Sequence, residues 1–373
     1  MPIDFRSDVM SLPTEAMIEA MVAAARSSPG MGLKADPIVC RLEELAADEL
    51  GKEDALFCPT CTLCNQIAVN IYCRPGEAFV AEAMSHASIA ETGAVAALSG
   101  AMAVPVTGTR GILEPTDVEH AVRGGDEQRS RTALIVTENT HVYSGGRVMP
   151  VTTMQGIRDV ARRNGLPVHL DGARLFNAAA FLSVSGQEIA SYADSVSLSL
   201  NKGLAAPLGA ILAGDRDFIR EAVRLRQMFG GGWRPASIPA AAGIVALETM
   251  IDRMADDQRT AKRLVEGLAS CVGVDVDADG VETNIVLAHV DCTRILARDL
   301  IGKLEEADIL VSELAFGSRN TLRWVTHHGV GNAEVDRAVD AVADIMGPTH
   351  PDNSTNAAAA RHAGHHRRLA HRS

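Results

Sequence analysis

Seven short apolar runs recur between residues 55 and 212, and helical patterns fill most of the gaps between them. The runs cover 55–57, 78–81, 103–106, 133–136, 167–170, 195–198 and 208–212, each bounded by Gly, Pro or polar residues. They are strand-length, whereas 38–50 repeats apolar residues at helical spacing, with Val39, Leu42, Leu45 and Ala46 on one face. Helical segments are also expected over 62–72, 84–99, 115–123, 153–164 and 173–181. Strands alternating with helices predict an α/β fold: a large domain with a mostly parallel sheet covered by helices on both faces. In such sheets ligands collect at the carboxyl ends of the strands.

From about residue 236 a long helical stretch bridges to a smaller C-terminal α+β domain. The expected division is an N-terminal segment over 1–37, a large domain over 38–235, a small domain with its linking helix over 236–347, and a disordered tail over 348–373. That tail is basic, rich in His and poor in large apolar residues. The chain shows no internal repeat.

Net charge is −12, which argues against a nucleic-acid or anionic-membrane partner. Aromatic residues make up only 3%, so Ala, Leu, Val and Ile must build most of the core. The start lacks a signal-peptide pattern, and no apolar run is long enough to span a bilayer. Seven cysteines, an odd number, fit reduced thiols in a cytoplasm.

Two strand ends carry distinctive chemistry. Lys202 follows the serine-rich run at 195–198 and precedes Gly203; Asp171 follows Leu170 and precedes Gly172. A lysine amine can hold an aldehyde as a Schiff base, and an aspartate can keep a pyridinium nitrogen protonated. Together they suggest pyridoxal 5′-phosphate, an electron sink for reactions at an amino acid's Cα. The plainer readings are a surface lysine and a helix N-cap aspartate.

The segment 57–66 reads as strand, turn and helix, with Thr60, Cys61 and Thr62 at a helix N-terminus, a natural phosphate seat. Cys58, Cys61 and Cys64 allow zinc only with further ligands, so no metal site is expected and packing or redox-sensitive thiols are the alternatives. His86 lies just past a strand, where structural hydrogen bonding is the ordinary role. Arg174 and Arg323 flank apolar runs; buried there, each would need an anion such as a carboxylate.

In order along residues 4–345, these segments resemble the threonine aldolase / β-eliminating lyase family of pyridoxal-phosphate enzymes (fold type I, aspartate-aminotransferase-like). The anchors are residues 4–8, Asp36-Pro37, Asn65-Gln66, His86, Glu138–His141, His169–Asn177, Asn201–Leu204, Gly230–Arg234 and Arg323–His327. The resemblance implies that Lys202 binds the cofactor aldehyde, Asp171 pairs with the ring nitrogen and His86 stacks on the ring. Cys61 and Thr62 match the family's phosphate-binding step. Ser7, Arg174 and Arg323 match the groups that hold a substrate carboxylate. Arg234 matches a residue reaching the phosphate from a neighbouring subunit, which implies a homodimer or homotetramer with shared active sites.

Three positions depart from the family pattern. Leu33 stands where a tyrosine near the substrate is usual, Cys61 where glycine is usual, and Gln128 where some members carry a second histidine. The implied activity is retro-aldol cleavage of an L-β-hydroxy-α-amino acid to glycine and an aldehyde, with His86 as candidate base. The alternatives are β-elimination from a cysteine-type conjugate, with Lys202 taking the Cα proton, and a binding or regulatory protein that has lost activity.

Overall fold

Strands β1 (Ile3–Asp4), β2 (Asp54–Cys58), β3 (Ala78–Glu82), β4 (Met102–Val106), β5 (Thr132–Glu138), β6 (Val168–Asp171) and β7 (Ser195–Ser199) run through the first half of the chain. They are followed by β8 (Ala210–Gly214), β9 (Val274–Val276), β10 (Ile285–Val290), β11 (Ile309–Leu310), β12 (Ser312–Glu313) and β13 (Thr321–Val325). The computed structural model describes residues 2–32, 34–316 and 320–347. Leu33 and the tail over 348–373 lie outside the described residues.

Seven strands form the central sheet in the order β2-β8-β7-β6-β5-β3-β4. All pairings are parallel except those of β8, which runs antiparallel to both β2 and β7. Strands β3, β5, β6, β7 and β8 are buried along their whole length, as helix-covered strands must be. Edge strand β4 alternates instead: Val104 and Val106 are buried while Met102 and Pro105 face out. Proline suits an edge, where its missing N–H breaks no ladder.

The helix Pro37–Leu50 starts where Asp36 Oδ1 accepts from the amides of Ile38 at 3.0 Å and Val39 at 3.4 Å. It ends at Gly51 in the left-handed region. Its buried stripe includes Val39, Leu42, Ala46 and Leu50, with Leu45 at the margin. Two expected elements differ. The segment 84–99 is not one helix but a short turn, His86–Ile89, and a π-type turn, Val95–Ser99. Thr92 (φ 54°) and Gly93 (φ 72°) lie between them in the left-handed region, which a continuous helix cannot pass through. Strand β8 begins at Ala210 rather than 208, because Gly209 (φ 122°) closes the preceding loop.

A second sheet, β12-β13-β10-β9, is antiparallel and has its own core, which includes Trp324, Leu322, Val286, Leu264 and Leu304. The chain's start joins that core. Strand β1 pairs in parallel with β11, and Phe5 meets Trp324 edge-on at 5.2 Å. Met17, on the helix Glu15–Ala25, is buried instead in the core under the central sheet. Ala240, Ala242, Ala246 and Leu247 of the helix Ser237–Thr249 are buried in the same core. The segment between β1 and the first helix, including Ser7 and Asp8, therefore runs between the two cores.

Candidate active site

Adjacent parallel strands β6 and β7 bring their carboxyl ends together. Serines 195, 197 and 199 alternate along β7, so they share one face. Ser195 Oγ lies 2.8 Å from Nδ1 of His169. Ser197 Oγ donates to Oδ1 of Asn65 at 2.9 Å, and Ser199 Oγ donates to Oδ1 of Asn201 at 2.8 Å. The serine-rich strand thus organises a polar layer beneath the site. Burial pushes His169 down to about 4, so its ring is neutral. Its Nε2, 3.0 Å from Asn65 Oδ1, is the ring nitrogen that donates.

Asp171 ends β6 and is buried. Oδ2 accepts from Nδ2 of Asn65 at 2.7 Å, and Oδ1 accepts from the amide of Ala173 at 3.1 Å. The second bond is a local turn contact; the helix Leu175–Leu182 itself is entered through Arg174, so Asp171 is not its N-cap. No cation stands within ion-pair distance of Asp171 among the described residues. A buried carboxylate so placed is costly unless a positive group meets it.

His86 is half-buried beside this carboxylate. The ligating atoms of His86, Glu91 and Asp171 all lie within 4.8 Å of one another. Nδ1 of His86 is 2.9 Å from Oε1 of buried Glu91, and its backbone amide donates to Oε2 of Glu138 at 2.7 Å. Burial opposes a charge on His86, but the Glu91 hydrogen bond and the Asp171 carboxylate outweigh it and raise its pKa. Glu91 is also held by Asn65 at 2.9 Å and by Gln66. Asn65 therefore links Asp171, Glu91, His169 and Ser197.

Lys202 is half-buried, and its Nζ makes no ion pair or hydrogen bond among the described residues. Its charge acts on Asp8, Cys61 and His86, which places it near all three. Cys61 and Thr62 head the helix Cys61–Tyr72, and Thr60 is its N-cap, accepting from Leu63 N at 3.1 Å. The first-turn amides of that helix have no intrahelical partner. Burial pushes the Cys61 thiol up to about 12, with Lys202 opposing, so it is a neutral thiol. Cys58 and Cys64 are buried beneath it in an apolar cluster with Leu56 and Ile67.

Arg174 and Asp8 form a buried bidentate pair, with Nε and Nη2 each 2.7 Å from a carboxylate oxygen. Burial alone would raise the Asp8 pKa; Arg174 overwhelms it and holds the carboxyl far below its ordinary range. Arg323, on β13, donates from Nη2 to the carbonyl of Arg6 at 2.9 Å. Its Nε is buried without a partner among the described residues. Burial first, and then the neighbouring Arg174, lower its pKa. Arg174 is paired with Asp8, whereas the buried Nε of Arg323 has no partner among the described residues, a donor that suits a further anion. Ser7, half-buried alongside, accepts from the amide of Val9 at 3.3 Å.

Of the residues expected from the sequence, Lys202, Asp171, His86, Cys61, Ser7, Arg174 and Arg323 converge in one region, and Thr62 follows Cys61 there. Arg234 does not join them: it is exposed, beside Pro235 in a loop after Phe229. Gln128 is likewise exposed, in a turn where its amide donates to Asp126 at 2.9 Å. Sequence reasoning missed Glu91 and gave Asp8, Glu138 and Asn65 no role beyond membership of a motif. The signal for Glu91 was an acid five residues after His86 in an otherwise apolar stretch.

Comparison with known proteins identifies the family. The profile of the family described as β-eliminating lyase matches residues 4–293. The chain is 37% identical over 350 residues to low-specificity L-threonine aldolase 1 of Arabidopsis thaliana, covering 92% of this chain and 96% of the relative. It is 37% identical over 289 residues to low specificity L-threonine aldolase of Escherichia coli (strain K12), covering 77% and 84%. The structure of a Leishmania major threonine aldolase superposes with a TM-score of 0.80 at 22% identity, covering 93% of this chain and all of that one. By sequence and by fold, this chain belongs to the β-eliminating lyase family, the fold type I pyridoxal-phosphate-dependent lyases that include the threonine aldolases.

Proposed function

We propose that this protein is an aldolase that cleaves a threonine-like L-β-hydroxy-α-amino acid to glycine and an aldehyde. The observation that carries the reading is the Nε of Arg323, unpartnered among the described residues, beside the Arg174–Asp8 pair, with the amine of Lys202, likewise unpartnered among them, close by. An anion-seeking pair beside a free amine fits an α-amino acid.

The same residues fit the family's cofactor. Asp171 has no cation within ion-pair distance among the described residues, and a protonated pyridine nitrogen would supply one. The helix headed by Cys61 and Thr62 offers amides to a phosphate, and Lys202 Nζ would hold the aldehyde carbon. When bound, pyridoxal phosphate accepts the electron pair of the bond broken at the substrate's Cα.

The chain's own groups do the rest. Arg174, Arg323 and Ser7 bind the carboxylate and restrict rotation of the substrate. With Glu91 accepting from Nδ1, His86 presents the lone pair of Nε2 and takes the β-hydroxyl proton as general base. Asn65 keeps Asp171 and Glu91 oriented. β-Elimination is the second reading, favoured by the family's own description and by the freedom of Lys202 to take a Cα proton. We also assign the protein to the cytoplasm as a homodimer or homotetramer. The free cysteines support the compartment, and the exposed Arg234 supports a shared site. Among the described residues no helix is long and apolar enough to cross a membrane.

The deciding experiment incubates the cofactor-loaded protein with β-hydroxy and β-thio amino acids. Glycine and an aldehyde from the β-hydroxy series support the aldolase. An oxo acid with ammonia, and no glycine, selects elimination.

A further inference from the structure

Beyond β5, the short turn Val142–Ser144 carries Tyr143 to the seam between the two cores. The turn is fixed on both sides. Oε1 of Glu138 accepts from the amide of Val142 at 2.8 Å, and the amide of His141 donates to the carbonyl of Arg147 at 2.8 Å. Val142 packs with Ile285 and Val325 of the smaller sheet, and Tyr143 and Leu287 line the margin of that cluster. The Tyr143 ring is half-buried and meets Phe316 edge-on, with centroids 5.0 Å apart and planes at 88°. Such a contact fixes the plane of the ring.

The phenol hydroxyl has no hydrogen-bond partner among the described residues. It lies where Glu138, Arg323 and Arg174 all act on it. Burial first, then Glu138, push its pKa up against the two arginines, so it remains a neutral donor. On the reading above, Arg174 and Arg323 serve the substrate carboxylate, so a neutral hydroxyl adds most at another substrate atom. Glu138 joins the phenol to the His86 corner, because its second oxygen accepts the His86 amide at 2.7 Å.

We propose that Tyr143 is a specificity-determining residue: its hydroxyl donates to the polar group on the substrate's β-carbon, and its ring, braced by Phe316, walls the side-chain pocket. This assignment rests on the aldolase reading above.

The test uses the cofactor-loaded enzyme and the isosteric Tyr143→Phe variant. The cofactor's absorbance is titrated with glycine, which has no β-carbon, and with L-threonine, and KM and kcat are measured for threonine. The expected result is unchanged glycine affinity, a KM for threonine raised about tenfold, and a smaller change in kcat. Equal weakening of glycine and threonine would move the hydroxyl to the carboxylate and overturn the assignment. No change in either titration, or loss of the cofactor, would overturn it too. Failure of the unmodified enzyme to release glycine from threonine would overturn the aldolase reading instead; the paired titrations would still decide the role of Tyr143.

Discussion

Nδ1 of His86 lies 2.9 Å from Oε1 of Glu91, and Glu91 is itself buried and held by Asn65 and Gln66. The pair fixes both the tautomer of the imidazole and its proton affinity. Burial disfavours the imidazolium, yet the Glu91 bond and Asp171 raise the pKa above the ordinary 6.5. As the proposed base, His86 acts only when neutral, so activity should fall as pH drops through that raised value. Glu91→Gln removes the carboxylate that favours the charged form. Its kcat/KM profile should therefore lose activity at lower pH than the parent enzyme. Superimposable acid limbs would separate Glu91 from the base. His86→Asn should lower kcat by about 10²–10⁴-fold, the range of general-base catalysis, while the cofactor remains bound.

The Asp8–Arg174 pair joins the N-terminal segment to the loop that follows β6. Removing one member of a buried ion pair strands the other, at a cost of about 3–5 kcal/mol. Asp8→Ala should lower the melting temperature markedly. The native carboxyl titrates well below its unfolded value of 3.8, despite the opposing effect of burial. Its stabilisation is thus complete above that unfolded value and is lost as pH falls below it. The parent should therefore lose more stability than Asp8→Ala between pH 5 and pH 3. Parallel losses in thermal melts over that interval would argue against the pair.

Arg323 offers a buried Nε with no partner among the described residues, a donor that lysine lacks. A hydrogen bond to a charged group contributes about 1.5–3 kcal/mol. Arg323→Lys should raise KM for amino-acid substrates by about 10–100-fold and weaken glycine binding equally. The cofactor's absorbance should not change. Unaltered glycine affinity would remove Arg323 from the carboxylate site.

The alternation of apolar runs was enough to expect the sheet, and β3 through β7 lie within a residue or two of the runs that announced them. Other features depended on tertiary placement. The antiparallel insertion of β8 between β2 and β7 leaves no mark on its own apolar pattern. Residues 84–99 read as helix because their spacing is helical. Thr92 and Gly93 break them, and the break lets Glu91 meet His86. Lys202, Asp171 and His86 were singled out by motif and strand position, and the structure brings them into one region. Asp8 and Tyr143 were not, because their partners come from distant parts of the chain: Arg174 in the loop after β6 and Phe316 beyond the smaller sheet's first strands. Cys61 stood out as a departure at the phosphate seat, and its burial as a neutral thiol could only be read from packing.

On the proposed reading, Lys202 carries the cofactor between Asp171 and the pair Arg174 and Arg323. Borohydride reduction of the cofactor-loaded protein makes a lysine–cofactor link permanent, and peptide mapping by mass spectrometry then locates it. A pyridoxyl label should fall on the peptide that contains Lys202, and Lys202→Ala should lose it. A label on another lysine, or none on a protein that retains cofactor, would contradict the account.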